Sequence, residues 1–285
     1  IKILNYKPIN DRKTRNNSTK HRIKGRYLEK KAYLCDQEKR SKTMKKAIVM
    51  GATSGIGLEV ARLLAQQGYA VGIAGRRADR LAEAVNAEAN IVVYRPIDVN
   101  DTEAVKHLHE LIDELGGMDL YFHSSGIGWE NCELNTEREL LTVQTNAMGF
   151  TRMVTAAFNY MAQHNPNGCI ACITSIARTR GLGAAPAYSA TKRFQAHYLE
   201  CLAQQARMRR LNIGITDIRP GFVATDLIAG SHFPLQLKAE DVAHTIVKAV
   251  KRGKATVTID WRYRLLVSVW QLIPRWLWVR LRFVR

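Results

Sequence analysis

The side chains in this sequence that could do chemistry are Tyr188 and Lys192, four residues apart, with Ser175 thirteen residues upstream. On a helix, positions i and i+4 share one face, so the Lys192 ammonium is expected to lie near the Tyr188 phenol. A nearby cation favours the ionised phenol and makes Tyr188 a usable acid at neutral pH, although its unperturbed pKa is about 10. Together with a glycine-rich turn at residues 51–57, these side chains point to hydride transfer.

The glycine-rich turn has the spacing of a phosphate-binding loop. Gly51, Gly55 and Gly57 follow a short β-rich run and open a helical stretch, so they allow a tight turn and close approach of the backbone to a pyrophosphate. The helix N-terminus supplies free N–H groups and positive potential. In this context the pattern favours a dinucleotide site over an ordinary loop.

The residues after the second predicted strand indicate which dinucleotide is bound. A free 2′-hydroxyl is usually held by an acidic side chain there, whereas a 2′-phosphate needs a cation. The sequence has no acid at this point but has Arg76 and Arg77, which favours NADP(H). Arg76 is the first candidate, and two solvated arginines are the alternative. Asp98 and Val99, after the third strand, are expected to contact the adenine, with Asp98 as a helix cap as the alternative.

Short β-rich runs alternate with helical stretches from Lys46 onward, which is typical of a parallel sheet with crossover helices. The pattern predicts an α/β fold: a Rossmann-like, doubly wound, parallel seven-stranded sheet in a single domain, with its ligand at the carboxyl ends of the strands. The predicted strands are 47–50, 70–74, 91–96, 120–124, 169–174, 213–218 and 255–259, and the predicted helices are 58–67, 77–87, 102–115, 136–164, 187–208 and 239–252.

The formal net charge of +18 is carried mainly by the two ends of the chain. Residues 1–43 hold 14 basic and 4 acidic residues, and residues 261–285 hold 6 basic residues and no acidic one. The domain at 44–260 has 23 basic and 21 acidic residues, so its charge gives no reason to expect nucleic acid. Residues 1–43 are predicted to be a disordered basic tail, which Met44 suggests is an upstream-translation artefact; a tail that binds anionic surfaces is the alternative.

Five cysteines, an odd number without a secretory signal, suit a reducing compartment better than a disulfide framework. Cys169 and Cys172 have the spacing of a metal or redox motif, but they fall in a β-rich run, where residues three apart point to opposite faces. We therefore expect buried strand thiols and no metal site.

Residues 261–285 predict an amphipathic helical tail, in which Pro274 starts a second helix. No apolar run reaches the roughly 20 residues that span a bilayer. The composition favours a helix that lies in a membrane interface, with packing on the domain or on a second subunit as the alternative. The polar and cationic residues recur at helical spacing as a narrow stripe: Arg264, Ser268, Gln271, Arg275 and Arg282.

Taken in order, these motifs resemble the classical short-chain dehydrogenase/reductase family, in its NADP-dependent ketoreductase type, over residues 46–260. The matching features are the glycine turn, Asp98, Asn146 in Asn-Ala-Met-Gly, Ser175, Tyr188-x-x-x-Lys192 and the segment from Pro220 to Thr225.

The resemblance implies a role for each of four side chains. Tyr188 would donate a proton to a carbonyl oxygen as hydride arrives from the nicotinamide, and Ser175 would hydrogen-bond that oxygen. Lys192 would bind the nicotinamide ribose and lower the pKa of Tyr188, and Asn146 would hold a water in the proton relay. The expected cofactor contacts are Gly51, Thr53, Ser54, Gly55, Ile56, Gly57, Arg76, Arg77, Asp98, Val99, Ser125, Gly126, Tyr188, Lys192, Pro220, Gly221, Val223 and Thr225.

Two positions depart from the family pattern. The segment His123-Ser124-Ser125-Gly126 stands where the family usually carries Asn-Asn-Ala-Gly, and Met50 stands where a threonine is common. Hydroxyls and an imidazole can replace some amide hydrogen bonds. The departure therefore bears on the rigidity of the cofactor site rather than on catalysis.

These features together favour NADPH-dependent reduction of a ketone or aldehyde to an alcohol, with NADP(H) preferred over NAD(H). The segment 222–237 falls at the family's substrate lid and is mostly apolar. We therefore expect an apolar or lipid-like substrate, such as a 3-keto sphingoid base or a 3-ketoacyl chain, and a role in lipid metabolism. We also expect a cytoplasmic homo-oligomer, peripheral on the inner face of a membrane through 261–285. A non-catalytic NADP(H)-binding sensor or scaffold is the alternative.

Overall fold

The computed structural model describes residues 44–225 and 235–281. The strands are β1 (Lys46–Met50), β2 (Ala70–Gly75), β3 (Ile91–Pro96), β4 (Leu120–His123), β5 (Cys169–Ile173), β6 (Gly214–Pro220) and β7 (Thr256–Ile259). The helices are α1 (Gly55–Gln66), α2 (Ala78–Ala87), α3 (Ala104–Leu115), α4 (Thr136–Val143), α5 (Phe150–His164), α6 (Pro186–Met208), α7 (Ala239–Lys251), α8 (Trp261–Leu272) and α9 (Arg275–Trp278).

The strands form one sheet in the order β3-β2-β1-β4-β5-β6-β7, and every neighbouring pair is parallel. The predicted Rossmann-like, doubly wound α/β fold is therefore confirmed. The strand order runs outward in both directions from β1 and β4. Their carboxyl ends thus flank the crevice in which folds of this type bind their ligands.

Alternate residues of a strand face two different layers of helices. In β1, Ala47 and Val49 pack in one core with α1, α2 and α7, whereas Ile48 and Met50 pack in the other core with α3, α5 and α6. Because helices cover both faces of the sheet, the central strands are apolar throughout rather than alternating. This double burial fixes the strand ends from which the functional loops leave.

The predicted single helix over 136–164 is interrupted in the structure. A π-helical turn, Gln144–Gly149, joins α4 to α5 and contains Asn146. The helix predicted from Thr102 begins instead at Ala104, because the Asp101 carboxylate accepts the backbone N–H of Glu103 and keeps this segment in a turn.

The chain after β7 packs on the domain through one face. The Tyr263 ring is 1% exposed and covers Gly221, where an added Cβ would lie 2.2 Å from the ring. The Tyr263 hydroxyl donates to the Leu235 carbonyl at 3.0 Å, and Trp278 Nε1 donates to the Gly181 carbonyl at 2.8 Å. Pro274 directly precedes α9, in agreement with its prediction as the start of a second helix.

Arg180, in the loop after β5, holds the C-terminal end of α8. Its guanidinium donates to the carbonyls of Trp270 and Gln271 at 3.0 Å each, and also to the Ile273 carbonyl. Carbonyls at a helix C-terminus have no partner within the helix, so Arg180 satisfies groups that would otherwise need water.

The predicted polar stripe of the tail is exposed at Arg264, Ser268, Gln271 and Arg275, and Arg282 lies outside the described residues. Several apolar side chains of the same tail are exposed as well. In the stretches 44–225 and 235–281, no helix has the length and apolar character that crossing a bilayer demands.

The packing of α8 predicts that substitutions of Tyr263 and Trp261, two aromatic residues on this helix, change the free energy of unfolding by different amounts. We expect Tyr263→Ala to lower the free energy of unfolding by about 3 kcal/mol, because it empties a buried site and leaves the Leu235 carbonyl unpaired. Trp261→Ala should change it by less than about 0.5 kcal/mol, since the Trp261 side chain is 68% exposed. Urea unfolding of both variants makes the comparison, and equal effects would show that α8 does not belong to the cooperative unit.

Candidate active site

The glycine turn leaves no room for a side chain at its three glycines. Gly51 and Gly55 have φ angles of +88° and +56°, which favour glycine. A Cβ on Gly57 would lie 2.1 Å from the Gly51 carbonyl oxygen, and one on Gly51 would lie 2.6 Å from the Ser125 nitrogen. The turn therefore packs directly on the loop after β4. The first turn of α1 carries no acidic residue, so its N–H groups and dipole can hold a pyrophosphate.

Two arginines follow β2 beside this turn. Arg77 donates from Nη2 to the hydroxyls of Thr53 and Ser54, at 2.8 Å each. Gly75 leaves room for Thr53, whose Cγ2 would lie 2.7 Å from an added Cβ. Arg76 is exposed and makes no hydrogen bond or ion pair with the described part of the chain. The Arg77 guanidinium is thus tied to the glycine turn, whereas the neighbouring Arg76 side chain is exposed to solvent.

Asp98 and Val99 lie in the turn between β3 and α3. The exposed Asp98 carboxylate accepts the Asn100 backbone N–H at 3.0 Å, and α3 begins only at Ala104. The alternative that Asp98 caps this helix is therefore wrong, because its side chain closes the preceding turn instead. Val99 is buried, and its carbonyl accepts a hydrogen bond from Arg152. The adenine contact of both residues stays a prediction.

Ser175 and Tyr188 meet at the carboxyl end of β5. Ser175 begins the 3₁₀ turn Ile176–Arg178, where its Oγ accepts the Ala177 N–H at 3.0 Å, and its side chain lies near enough to the Tyr188 phenol to affect the pKa of that group. The Tyr188 ring lies on Gly128, where a Cβ would come within 2.3 Å of a ring carbon. Glycine at position 128 is therefore required for the ring to occupy this place.

The start of α6 fixes the orientation of Tyr188. Pro186 stands at the first helical position, where its missing N–H costs nothing. The next N–H, that of Ala187, donates to the Glu139 carboxylate of α4 at 2.9 Å. A charged acceptor at a helix N-terminus stabilises the first turn, and Tyr188 lies in that turn.

Lys192 and Asn146 are joined through a residue that the sequence analysis did not single out. Lys192 Nζ donates to the Ile173 carbonyl at 3.1 Å and to Gln195 Oε1 at 3.0 Å. Gln195 Nε2 in turn donates to the Asn146 carbonyl at 2.8 Å, and the Gln195 side chain is fully buried. Gln195 thus ties α6 to the π-helical turn.

The Asn146 side chain fixes the loop after β4. Its Oδ1 accepts the Ile127 N–H at 2.9 Å, and its Nδ2 donates to the Ile127 carbonyl at 2.7 Å. Gly126 lies beside it, where a Cβ would be 3.2 Å from Asn146 Oδ1 and 3.5 Å from Lys192 Nζ. A cofactor that reaches Lys192 needs this space, so glycine at 126 fits the prediction. The water expected beside Asn146 stays a prediction.

The pKa of Tyr188 differs from the expectation. Burial raises the pKa of Tyr188 above its usual 10, although the nearby Ser175 hydroxyl partly opposes this. Lys192 Nζ lies 5.6 Å from the centre of the Tyr188 ring and is directed to Gln195 and Ile173. Burial also lowers the pKa of Lys192 to about 8, against the opposing effects of Cys172 and Asp217. The expected lowering of the Tyr188 pKa by Lys192 is therefore wrong for this arrangement, because burial outweighs spacing.

His123, a departure from the family pattern, lies behind the site. It is 1% exposed, its Nδ1 is 3.0 Å from the Tyr121 hydroxyl, and its ring meets the Phe150 ring edge to face. Burial, with a smaller contribution from the Lys192 charge, lowers the pKa of His123 to about 3. The imidazole is therefore neutral and acts as a packed hydrogen-bonding group.

The segment after β6 closes the other side of the site. Thr225 packs on Gly55, where a Cβ would lie 2.9 Å from Thr225 Cγ2, and buried Val223 pairs with Leu237 in a β-bridge. Pro220 ends β6, and Gly221 lies under Tyr263 as described above. The other predicted cofactor residue, Ile56, packs its side chain against the core. Residues 226–234 of the predicted apolar lid lie outside the described residues.

Cys169 and Cys172 both lie in β5, as predicted. Burial raises the pKa of the Cys169 thiol to about 11 and that of Cys172 well above its usual 9. Both thiols are therefore protonated at neutral pH and are poor metal ligands or nucleophiles.

Comparison with known proteins agrees with this geometry. A family model described as short chain dehydrogenase matches residues 45–232. The chain belongs to this family. A curated relative, an uncharacterized oxidoreductase of Myxococcus xanthus strain DK1622, is 31% identical over 236 residues, which are 80% of this chain and 92% of the relative. The protein is therefore an NAD(P)-dependent oxidoreductase of the short-chain dehydrogenase family.

Solved structures show the same fold. An alcohol dehydrogenase from the archaeon Thermococcus sibiricus, complexed with 5-hydroxy-NADP, has a TM-score of 0.68 at 23% identity and covers 76% of this chain and 96% of its own. A short-chain dehydrogenase from Burkholderia phymatum in complex with NAD has a TM-score of 0.71 at 20% identity and covers 79% of this chain and 92% of its own. The first of these structures holds 5-hydroxy-NADP and the second holds NAD.

Substitution of Gln195 in this short-chain dehydrogenase tests how much its hydrogen bonds contribute to stability. Gln195→Met removes an acceptor from Lys192 and a donor from the Asn146 carbonyl, so we expect a loss of about 2 kcal/mol in the free energy of unfolding at pH 7. Gln204→Met, an exposed change on the same helix, should cost less than about 0.5 kcal/mol. Urea unfolding of both variants tests this.

The pH dependence separates this role from simple packing. Losing the Gln195 acceptor should lower the pKa of Lys192 further below about 8. The variant then binds fewer protons than the parent just below pH 8, so its stability deficit should shrink as the pH rises through 8. A deficit that is independent of pH from 6 to 9 would contradict an interaction with the Lys192 ammonium.

Proposed function

We propose that this protein reduces a ketone or aldehyde to an alcohol with NADPH, using Ser175, Tyr188, Lys192 and Asn146. The observation that carries the proposal is the placement of the Ser175 and Tyr188 side chains close together at the carboxyl end of the sheet, where the glycine turn also lies. A pair of hydroxyls on one side of a crevice can hold a carbonyl oxygen and give it a proton.

The glycine turn and its neighbours suit a dinucleotide. The N-terminus of α1 would take the pyrophosphate, and Gly126, where a Cβ would lie 3.5 Å from Lys192 Nζ, would let the cofactor approach Lys192. When bound, the nicotinamide supplies a hydride to the carbonyl carbon of the substrate.

The chain's own residues would handle the oxygen and the proton. The Ser175 hydroxyl would donate a hydrogen bond to the carbonyl oxygen. As the C=O π bond breaks, the Tyr188 O–H proton would pass to that oxygen, which leaves an alcohol and a tyrosinate. The Lys192 ammonium, held near the Tyr188 ring by Ile173 and Gln195, would bind the nicotinamide ribose, and the tyrosinate would take a proton back from solvent.

The raised pKa of Tyr188 favours the direction of reduction. A phenol that is protonated across the physiological range is ready to donate and poorly able to accept a proton. The rate of reduction should therefore be constant at neutral pH and fall as the pH rises through the pKa of Tyr188, whereas alcohol oxidation should rise over the same range.

Substitution of Tyr188 tests the assigned chemistry. We expect Tyr188→Phe to lower kcat at least 100-fold, because the proton donor is lost, while the Kd for NADPH changes less than about threefold. Tyr198→Phe is the matched control on the same helix, since its hydroxyl contacts only Thr155 at 2.6 Å among the hydrogen bonds of the described residues. Its kcat should stay within about twofold of the parent.

The assay follows NADPH oxidation with substrates from small aldehydes to long-chain 3-keto lipids. An apolar substrate is favoured by the lid sequence at 222–237, so turnover should increase with chain length. Substantial turnover by Tyr188→Phe would refute its role. Tight NADPH binding by the parent without turnover of any substrate would favour a sensor instead.

Cofactor preference is expected to depend on Arg76. Arg76→Glu places a carboxylate where the 2′-phosphate would lie, so we expect the Kd for NADPH to rise at least tenfold and that for NADH to change less than about threefold. Arg80→Glu, an exposed position on α2 that faces Glu83, controls for net charge. Fluorescence titration of both variants makes the measurement. Equal losses for the two arginines, or equal effects on both cofactors, would contradict the assignment.

A further inference from the structure

The outward face of α8 and α9 carries apolar side chains that nothing in the described residues covers. On α8, Trp261, Leu265, Val269 and Leu272 recur at intervals of four, four and three residues and so share one face. Their exposed fractions are 68, 61, 50 and 82%. Trp276, on α9 beyond Pro274, is likewise 62% exposed. These five residues are called the apolar strip.

Other side chains of α8 and α9 already pack on the domain or on each other. Tyr263 and Trp278 are buried against the domain, and Trp270 packs edge to face on Trp278. Arg180 holds the helix end through its carbonyls. Tyr263 and Arg180 therefore anchor α8 to the domain in an orientation that leaves the strip exposed.

Positive charge surrounds the strip. Arg264 and Arg275 lie next to it, and Arg280 lies over the Trp276 ring at 5.6 Å and donates to the Trp276 carbonyl at 3.2 Å. The sequence from 261 to 285 contains no aspartate or glutamate. The surface thus combines exposed tryptophan and leucine with cations, and the Asp260 carboxylate at the start of α8 is already paired with Arg262 at 2.9 Å.

We propose that the apolar strip docks this protein on an anionic lipid bilayer, with α8 lying in the plane of the interface. Leucine and tryptophan side chains would enter the headgroup and acyl boundary, and the flanking arginines would meet lipid phosphates. A second copy of the chain fits the same surface less well. A symmetric contact would bring the arginines of both copies together, while the nearby Asp260 is already paired with Arg262 of its own chain. This proposal does not depend on the proposed reaction.

The test uses the full chain with vesicles of phosphatidylcholine alone and of phosphatidylcholine mixed with phosphatidylglycerol. The parent should sediment with the mixed vesicles. A strip variant with Leu265→Ser, Val269→Ser and Leu272→Ser should bind at least tenfold more weakly, because each buried apolar side chain contributes about 1.5–3 kcal/mol. Leu140→Ser, at a side chain 63% exposed on α4, is the matched control and should bind like the parent.

A second readout separates the strip from the basic residues 1–43, which could hold anionic vesicles by charge alone. Vesicles with brominated acyl chains quench only tryptophan that enters the bilayer. The quenching of tryptophan fluorescence by these vesicles should fall by at least half in the double variant Trp261→Phe/Trp276→Phe. It should be unchanged in the single variant Trp129→Phe. Circular dichroism checks that each variant is folded.

Three outcomes would overturn the proposal. The first is vesicle binding by the strip variant equal to that of the parent, which would assign binding to 1–43. The second is a parent dimer that becomes monomeric in the strip variant while neither binds vesicles. The third is equal binding to vesicles with and without phosphatidylglycerol, which would show that the arginines do not contribute to binding by meeting anionic lipid.

Discussion

The buried ammonium of Lys192 is the constraint on which the site depends. A cation removed from water is costly unless polar atoms replace its hydration, and burial lowers the pKa of Lys192 to about 8. The Ile173 carbonyl and Gln195 supply two acceptors, and Gln195 then takes its orientation from the Asn146 carbonyl. Satisfying one charge therefore connects the end of β5, the helix α6 and the π-helical turn, so that Tyr188 is placed by the same network.

Close backbone contact positions the loops of the cofactor crevice, as the Lys192 ammonium positions the elements around Tyr188. The turn around Gly51 approaches the Ser125 backbone so closely that no side chain fits between them. The loop after β4 is further held by the two hydrogen bonds between Asn146 and Ile127. The hydroxyls and imidazole at 123–125 therefore do not loosen this region, because its position is set by backbone contacts and Asn146 rather than by the side chains that differ from the family pattern.

Local spacing was sufficient to predict the fold, the glycine turn and the positions of Tyr188 and Lys192. Each of these is encoded within a few residues, as strand and helix periodicity or as a four-residue interval. Gln195 could not be found in this way, since its importance comes from a carbonyl 49 residues away in the chain. The Tyr188 pKa was mispredicted for a related reason. Spacing gives the distance to Lys192 but not the burial, and burial dominates here.

The C-terminal tail shows why composition alone left its role open. A helix with apolar residues on most of its circumference suits both a protein core and a membrane surface. The structure divides these residues: Tyr263 and Trp278 are buried, whereas Trp261 and Leu272 are exposed. The inward residues are needed to complete the domain, so deletion of the tail would damage the fold whatever the outward face does. Only substitutions confined to the outward face can separate docking from folding, because they leave every buried contact of the helix in place.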